Sequence, residues 1–276
     1  MRIISICPSN TELLAYLNLM PQVIGVDNYS DWPQEVENLP RLGPDLSIDM
    51  DMVERLKPDL VVASLSVPGM EKNIEELKDR NLPYVVLNPN SLKEIADNLI
   101  TLGELTNRKS LAEQLVNDYD KTIHTYQALA DTVTEPPSIY WEWWPKPVFT
   151  PGGHNWLTEI SRLAGGINLF QHEKTANFQT TWSDVATREP DHICMVWVGV
   201  DSNKVKPEFV LKRDHSKNMR AAVNRNIHVL EEAYFCRPSP RLLMGLKKIA
   251  AILHPEIFPP FSNEDTLMKK SKLLSQ

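Results

Sequence analysis

Short apolar runs alternate with helix-patterned segments through residues 1–90. Each run is strand-sized and is followed by polar turn residues or by apolar positions at helical spacing. Strands that alternate with helices predict a parallel sheet covered by helices on both faces. The predicted strands are residues 3–7, 23–26, 60–63 and 84–87, and the predicted helices are residues 10–19, 49–56 and 71–80.

Residues 92–132 have helical periodicity and contain no Pro. Gly103 and the pair Thr106–Asn107 are expected to divide this stretch into a shorter and a longer helix. After Pro136–Pro137 the alternation of strands and helices resumes, so we predict two lobes joined by one long helix. The predicted divisions are an N-terminal α/β lobe over 1–105, a bridging helix over 106–133, a C-terminal α/β lobe over 134–262, and a polar tail over 263–276 that frays.

One internal repeat supports two similar lobes. Residues 53–62 (VERLKPDLVV) resemble residues 185–194 (VATREPDHIC). Each segment predicts a short helix, a Pro–Asp turn and a buried strand. The predicted fold class is therefore α/β, with two doubly wound parallel-sheet lobes bridged by one long α-helix.

Composition excludes several classes of protein. The chain has 276 residues and a formal net charge of −7, with 10 Gly, 21 Pro and 7 Trp. Average usage would give roughly 19 Gly and 14 Pro, so there is little Gly for phosphate-binding loops. The acidity argues against nucleic acid and anionic membrane surfaces as partners. No apolar run approaches the roughly 18 residues of a membrane span.

The N-terminal residues bear on location. Met1 is followed at once by a predicted strand, with no basic and apolar leader, and Cys7 has no lipidation-type context. The sequence as written predicts a cytoplasmic location. If a leader has been removed, an extracytoplasmic location is predicted instead.

Catalytic and metal-binding motifs are missing from the sequence. The seven His show no metal-ligand spacing, and no nucleophile elbow is present. We therefore predict no protein-held metal and no catalytic cofactor. Glu142, His154 and His172 are the residues we would nominate if the protein were an enzyme.

Aromatic residues at predicted strand ends are the strongest signal. In open α/β sheets, ligands bind beyond the carboxyl ends of the strands. A single such ring belongs to a core more often than to a site, but rings cluster here in both halves of the chain. They predict a stiff aromatic surface for a large, flat ligand. The rings are Tyr29, Trp32, Trp143, Trp144, Phe178, Trp182, Trp197 and Phe235.

Five segments together resemble a known family. They are residues 9–12 (SNTE), 25–33 (GVDNYSDWP), 57–61 (KPDLV), 165–168 (GGIN) and 237–241 (RPSPR). In this order they are similar to the substrate-binding proteins of ABC importers that have a helical backbone. That class captures iron-siderophores, haem and cobalamin, and the closest similarity is to its cobalamin-binding branch.

The resemblance implies a class III periplasmic-binding-protein fold with the ligand in a cleft between the lobes. It implies a monomer that binds a corrinoid, cobalamin first, without catalysis and without being embedded in a membrane. It also implies docking on an ABC permease through one carboxylate in each lobe. Asp51 matches the first-lobe position, and the second-lobe position falls on Ser183, so the adjacent Asp184 is the predicted carboxylate there. The implied ligand contacts, together with the strand-end aromatics, are Asn10, Tyr29, His154, Asn155, Phe178 or Trp182, and Arg237.

Two departures from the cobalamin branch leave other ligands open. Pro44–Asp45 stands where that branch has a Trp, and Ala233 stands where it has an acidic residue. The alternative is a ferric-siderophore or haem-binding protein of the same fold. An enzyme that uses the interlobe cleft is the third hypothesis.

Overall fold

The computed structural model describes residues 1–274, which divide into two units. Unit 1 comprises residues 1–89, 93–119 and those from Asp265 onwards, and unit 2 comprises residues 90–92 and 120–264. Each unit contains one four-stranded parallel sheet flanked by helices. The predicted fold class is thereby confirmed.

Unit 1 begins with a run of alternating strands and helices. Strand β3 is buried along its whole length, which is typical of a central parallel strand covered on both faces. The elements are β1 (Ile3–Ser5), α1 (Pro8–Tyr16), β2 (Val23–Val26), α2 (Met50–Arg55), β3 (Leu60–Ser64), α3 (Glu71–Asp79), β4 (Tyr84–Leu87), α4 (Leu92–Leu105) and the first half of α5 (Lys109–Ala130), whose second half belongs to unit 2.

Unit 2 follows the same alternation and adds several short elements. The elements are β5 (Ser138–Glu142), β6 (Trp144–Pro145), β7 (Val148–Pro151), α6 (Trp156–Leu163), β8 (Ile167–Asn168), β9 (Asn177–Thr180), α7 (Trp182–Arg188), β10 (His192–Met195), α8 (Glu208–Leu211), α9 (Arg220–Val223), β11 (Ile227–Val229), α10 (Glu232–Phe235) and α11 (Leu242–Leu253). Helix α12 (Thr266–Leu274) then belongs to unit 1.

The two parallel sheets have the same strand order. In unit 1 the order is β2-β1-β3-β4, and in unit 2 it is β8-β5-β10-β11. Within each sheet the first strand of the unit lies beside the strand that follows the Pro–Asp turn. The chain therefore builds the same arrangement twice.

The repeated Pro–Asp segments match at the level of single contacts. Lys57 and Glu189, which precede the prolines, have left-handed φ values of 47° and 49°. Asp59 accepts a hydrogen bond from the backbone N–H of Arg2 at 2.6 Å, and Asp191 accepts one from Ser138 at 2.9 Å. Each aspartate thus ties the start of its own strand to the neighbouring central strand.

Side-chain caps fix the start of three helices. Asp49, Asn155 and Thr181 each accept a hydrogen bond from a backbone N–H in the first turn of α2, α6 and α7. Such caps satisfy donors that the helix itself leaves unpaired. Helix α1 begins at Pro8 rather than at residue 10, so Asn10 lies inside its first turn.

The C-terminal tail and the long helix differ from the sequence prediction. The prediction that the tail frays is wrong for residues 266–274, which form α12 and bury Leu267, Met268 and Ser271. Helix α5 is shorter at both ends than the predicted 106–133, and the boundary between the units falls inside it, between Tyr119 and Asp120.

A small antiparallel sheet in unit 2 was not predicted. Its strand order is β6-β7-β9, with Trp144 opposite Phe149 and Thr150 opposite Phe178. The four residues of β7 lack the length and alternation that would mark a strand in the sequence. Among the described residues, no helix is long and apolar enough to cross a membrane.

A histidine pair across β10 and β11, with His192 buried and His228 partly buried, predicts acid sensitivity. His192 Nδ1 lies 3.0 Å from His228 Nε2, and the two rings stack. Burial, with the charge of His228 next, lowers the pKa of His192 from 6.5 to about 4. The unfolded chain therefore binds this proton between pH 6.5 and 4, whereas the folded protein does not.

We expect stability to fall as pH falls through that window, by about 3 kcal/mol from this group. Urea unfolding at pH 7.5, 6, 5 and 4 measures the slope. The variant His192→Gln should reduce the slope between pH 6.5 and 4, since its amide does not titrate, while His228, Asp184 and Asp191, whose pKa values are also lowered, keep a residual slope. Equal slopes for both proteins would contradict the assignment.

Candidate functional site

The loop after β2 presents the Tyr29 side chain on a tightly bonded backbone. The buried Asp27 carboxylate accepts hydrogen bonds from the backbone N–H groups of Tyr29 (2.7 Å) and Ser30 (3.2 Å) and from Ser30 Oγ (2.5 Å). Arg41 donates to the backbone oxygens of Asp27 and Ser30. The Tyr29 side chain itself is 52% exposed. The hydrogen bonds therefore fix the backbone of a loop that presents an exposed ring.

Buried hydroxyls connect this loop to β1. Thr11 Oγ1 lies 2.7 Å from Ser30 Oγ and donates to Ser5 Oγ at 2.8 Å. Burial raises the pKa of Asp27, and hydrogen bonds from Ser30 and Tyr29 oppose that shift. Asn10 is also buried, and its amide donates to the backbone oxygen of Val62 at 3.2 Å.

Trp32 is partly buried within unit 1. Its ring packs 5.8 Å from Tyr16, the last residue of α1, whereas the Pro8 end of α1 follows the carboxyl end of β1. With Met20 and Glu35 it lines a pocket of about 1000 Å³ within unit 1. Trp32 therefore packs against unit 1 residues near the end of α1, whereas Tyr29 is largely exposed.

Strand β5 directs its side chains to two faces of the unit 2 sheet, as alternation requires. Trp141 donates to Ser161 Oγ at 2.8 Å and packs 5.4 Å from Phe235. Trp143 lies on the same side, 6.4 Å from Trp156. Glu142 points to the opposite face. The predicted aromatic contacts of unit 2 are thus divided between two environments.

Glu142 is the centre of a buried polar cluster. Its carboxylate has no solvent exposure and accepts two hydrogen bonds from Arg213, at 2.5 and 2.8 Å. Trp197 Nε1 donates to it at 2.9 Å, and the Tyr140 hydroxyl donates at 3.0 Å. Such a bidentate, charge-assisted arrangement fixes the direction of every group in it.

Aromatic rings surround this ion pair. The Arg213 guanidinium lies 4.6 Å from the centroid of the Trp182 ring. Trp197 stacks on Phe209 with an interplanar angle of 11° and lies 6.4 Å from Trp144. We call these residues the Glu142 cluster: Glu142, Arg213, Trp144, Trp182, Trp197 and Phe209.

The charges of the cluster compensate each other. Burial acts to lower the pKa of Arg213, but the hydrogen bonds and charge of Glu142 raise it above its ordinary value. Burial, together with Glu142, also raises the pKa of Tyr140 well above its ordinary value, so this hydroxyl remains a donor. The cluster therefore carries one buried positive and one buried negative charge in direct contact.

Two glycines allow a close approach of loops beside α6. A Cβ on Gly152 would lie 2.2 Å from the backbone oxygen of Thr175, and one on Gly153 would lie 2.3 Å from that of Gln171. Larger residues are excluded there. The loop leaves His154 exposed, while Asn155 is buried and uses its Oδ1 to cap α6, with its Nδ2 unpaired.

Three further predicted contacts are mostly buried. Phe235 is fully buried against Trp141, which assigns it to the core. Phe178 packs 5.4 Å from Phe170 at the edge of the unit 2 core. Arg237 is 8% exposed and forms an ion pair with Glu232 at 2.9 Å.

Exposed aromatic side chains are few and occur in particular places. Within residues 1–274 the exposed ones are Tyr29 (52%), Trp144 (41%) and Phe209 (39%). Tyr29 and Trp144 follow the carboxyl ends of β2 and β5, and Phe209 stacks on Trp197 beyond β10. Each parallel sheet thus carries exposed aromatic surface at its carboxyl end.

Sequence reasoning missed Phe209 and Arg213. Both lie in residues 199–224, where no hydrophobic period is visible and the structure has only short helices. Arg213 is 71 residues from Glu142. No local sequence signal joins Arg213 to Glu142. The sequence shows only that Arg residues are present to pair with its many carboxylates.

The predicted docking carboxylates lie near the starts of two corresponding helices, but not at matching positions, because the repeat aligns Asp51 with Ser183, the residue before Asp184. Asp51 and Asp184 lie in the first turns of α2 and α7, the helices of the repeated segments. Asp51 pairs with Arg80 at 2.7 Å, and Asp184 pairs with Arg188 at 3.0 Å. Among the described residues, no three His, Cys, Asp or Glu side chains are grouped as metal ligands.

Comparisons with known proteins bear on the fold and the family. The chain is 28% identical over 267 residues to the ABC transporter substrate-binding lipoprotein YvrC of Bacillus subtilis, covering 93% of this chain and 81% of that protein. It is 25% identical over 248 residues to the vitamin B12-binding protein of Vibrio parahaemolyticus, covering 90% and 87%.

A similar solved structure is that of a periplasmic heme binding protein from Pseudomonas aeruginosa. Its TM-score is 0.82 at 21% identity, with 95% of each chain covered. A family model described as periplasmic binding protein matches residues 3–234. With two matching parallel-sheet units and a family match over most of its length, this chain belongs to the periplasmic binding protein family.

Proposed function

We propose that this protein is the ligand-binding component of an ABC importer and that it binds a corrinoid, cobalamin first. The observation that carries the proposal is the exposed aromatic side chain at the carboxyl end of each sheet, next to a buried hydrogen-bond network. The backbone of Tyr29 is bonded to Asp27, and Trp144 and Phe209 contact Trp197, whose indole N–H donates to Glu142. The vitamin B12-binding relatives support the same choice.

A corrinoid suits these surfaces physically. The corrin is a broad apolar plate fringed with neutral amides, and each aromatic ring buries on the order of 150–250 Å². Exposed His154 offers a polar partner for the amide fringe. The protein supplies recognition and no chemical step, so neither a catalytic residue nor a catalytic cofactor is part of the proposal.

Absorption spectroscopy after gel filtration tests the ligand. Purified protein is mixed with cyanocobalamin, haemin or ferrichrome in parallel, and unbound ligand is removed. Retained cyanocobalamin colour at about one equivalent is expected. Colourless protein in that arm, with haemin or ferrichrome retained instead, would overturn the corrinoid proposal and keep the family function.

Haem is the second candidate, and one observation favours it. The exposed Tyr29 phenol is a type of oxygen ligand that haem iron accepts in some proteins. A haemin complex whose spectrum changes in Tyr29→Phe would support this alternative. A cyanocobalamin complex that forms equally well with Tyr29→Phe would support the first.

We further propose that Asp51 and Asp184 contact the permease on the outer side of the cytoplasmic membrane, where periplasmic binding proteins act. Both carboxylates lie in the first turn of corresponding helices of the two units, with Asp184 one residue beyond Ser183, the position that matches Asp51. Surface ion pairs such as theirs contribute little to stability, which leaves these carboxylates available for a partner. Cell fractionation of the natural protein tests the location.

The double variant Asp51→Asn with Asp184→Asn is expected to lower cyanocobalamin uptake at least tenfold, because both docking charges are lost. The affinity of the purified protein for cyanocobalamin should stay within twofold. Uptake is measured in cells that have this protein as their sole binding component. Asp79→Asn, an exposed aspartate on α3, is the matched control and should leave uptake unchanged. Normal uptake by the double variant would exclude these carboxylates from docking.

A further inference from the structure

The ion pair between Glu142 and Arg213 lies directly beneath the aromatic surface of unit 2. The Glu142 side chain is fully buried, and the Arg213 side chain is 15% exposed. Arg213 stacks on Trp182, and Glu142 accepts the indole N–H of Trp197. A ligand that covers these rings therefore lies within a few ångströms of both charges.

We infer that this ion pair sets the charge selectivity of the Glu142 cluster. Because the two opposite charges are in contact, the surface above them has no net charge and favours an electrically neutral plate over an anionic one. The inference rests on the proposed function, which places a flat ligand on these rings. It makes Glu142 and Arg213 specificity-determining residues that act beneath the contact surface.

The physical basis is the low dielectric beside the pair. An uncompensated charge within about 6 Å of a ligand charge, in surroundings of effective dielectric constant near 20, is enough to change an affinity tenfold or more. Arg213 alone would attract carboxylate groups of a ligand, and Glu142 alone would repel them. In contact, each cancels most of the other's effect.

A purely structural role makes a different prediction. The pair also holds Trp182 and Trp197 in place, so breaking it disturbs the surface for every ligand. Such a disturbance weakens the binding of neutral and anionic ligands alike and leaves the ratio of their affinities unchanged. The ratio, rather than either affinity, therefore separates charge selectivity from positioning. Neighbouring exposed charges, such as Lys212 and Asp214, are the same in all variants and cancel in it.

The experiment compares Glu142→Gln, Arg213→Gln and the double variant with the natural protein. Cyanocobalamin is the neutral probe, and haemin, with two propionates, is the anionic probe. Glu142→Gln should raise the haemin-to-cyanocobalamin affinity ratio at least tenfold, and Arg213→Gln should lower it. The double variant should return the ratio to within threefold of the natural value.

Quenching of tryptophan fluorescence gives a readout that needs no ligand. Iodide is an anionic quencher and acrylamide a neutral one, so the ratio of their quenching constants reports the charge beside the accessible indoles. The iodide-to-acrylamide ratio should rise in Glu142→Gln, fall in Arg213→Gln and return to the natural value in the double variant. If the natural protein retains none of cyanocobalamin, haemin and ferrichrome, the proposed function fails. The quenching ratio still tests the charge balance of the ion pair in that case.

Glu75→Gln, an exposed glutamate on α3 of unit 1, makes the same change in net charge and should alter neither ratio. Near-ultraviolet circular dichroism checks folding. If Glu142→Gln does not fold, Arg213→Gln and the double variant carry the test. Equal ratios in all folded variants, by quenching as well as by binding, would overturn the inference.

Discussion

Replacing Glu142 by Ala is expected to lower the free energy of unfolding by about 3–5 kcal/mol. The change removes the partner of Arg213, whose side chain is only 15% exposed, and so leaves a positive charge in a poorly solvated place. It also removes the acceptor for the Tyr140 hydroxyl and the Trp197 indole. A buried donor left without a partner adds about 1–3 kcal/mol to such losses. Urea unfolding at pH 7 and 25 °C measures the effect.

Two comparisons make this result specific. Glu75→Ala, on the exposed face of α3, should change stability by about 0.5 kcal/mol or less. The double variant Glu142→Leu with Arg213→Met should recover only the part of the loss that comes from the unpaired Arg213 charge, because an apolar pair carries no buried charge but still leaves the Tyr140 hydroxyl and the Trp197 indole without their acceptor. A loss below about 1 kcal/mol for Glu142→Ala would show that water reaches the pair.

The repeated architecture could be predicted because its signals are local. The Pro–Asp turns at residues 58–59 and 190–191 each end a helix and begin a buried strand, and both do so in the structure. The pattern could not show which groups the two aspartates bind. Asp59 and Asp191 accept hydrogen bonds from backbone N–H groups at the starts of strands that are far away in sequence. Periodicity identifies elements, whereas tertiary hydrogen bonds fix them to each other.

The candidate site was predicted less completely for a related reason. Aromatic residues at strand ends could be read as a group, but alternation along β5 sends Trp141 and Trp143 to one face and Glu142 to the other. A sequence does not say which face of a parallel strand meets ligand, because both faces are covered. Arg213 and Phe209 come from a segment without hydrophobic period, so only the folded chain joins them to the predicted rings.

Tyr29→Ala is expected to weaken cyanocobalamin binding by about 2 kcal/mol, or roughly 30-fold. Its ring is the most exposed aromatic surface among the described residues, at 52%, and the backbone that carries it is held by the Asp27 carboxylate. Because the loop backbone loses little conformational freedom on binding, the cost of ordering falls mainly on the side chain. Isothermal titration calorimetry on the folded variant measures the change.

Tyr29→Phe keeps the ring and should bind cyanocobalamin within threefold of the natural protein. Stability should change little in either variant, because an exposed side chain loses few contacts. Asp27→Ala then separates the ring from its support, since it leaves Tyr29 present but removes the carboxylate that binds the loop backbone. An affinity loss in Asp27→Ala comparable to that of Tyr29→Ala would show that recognition depends on the fixed position of the ring. Unchanged affinity for cyanocobalamin in both Tyr29→Ala and Asp27→Ala would exclude the loop after β2 from the site.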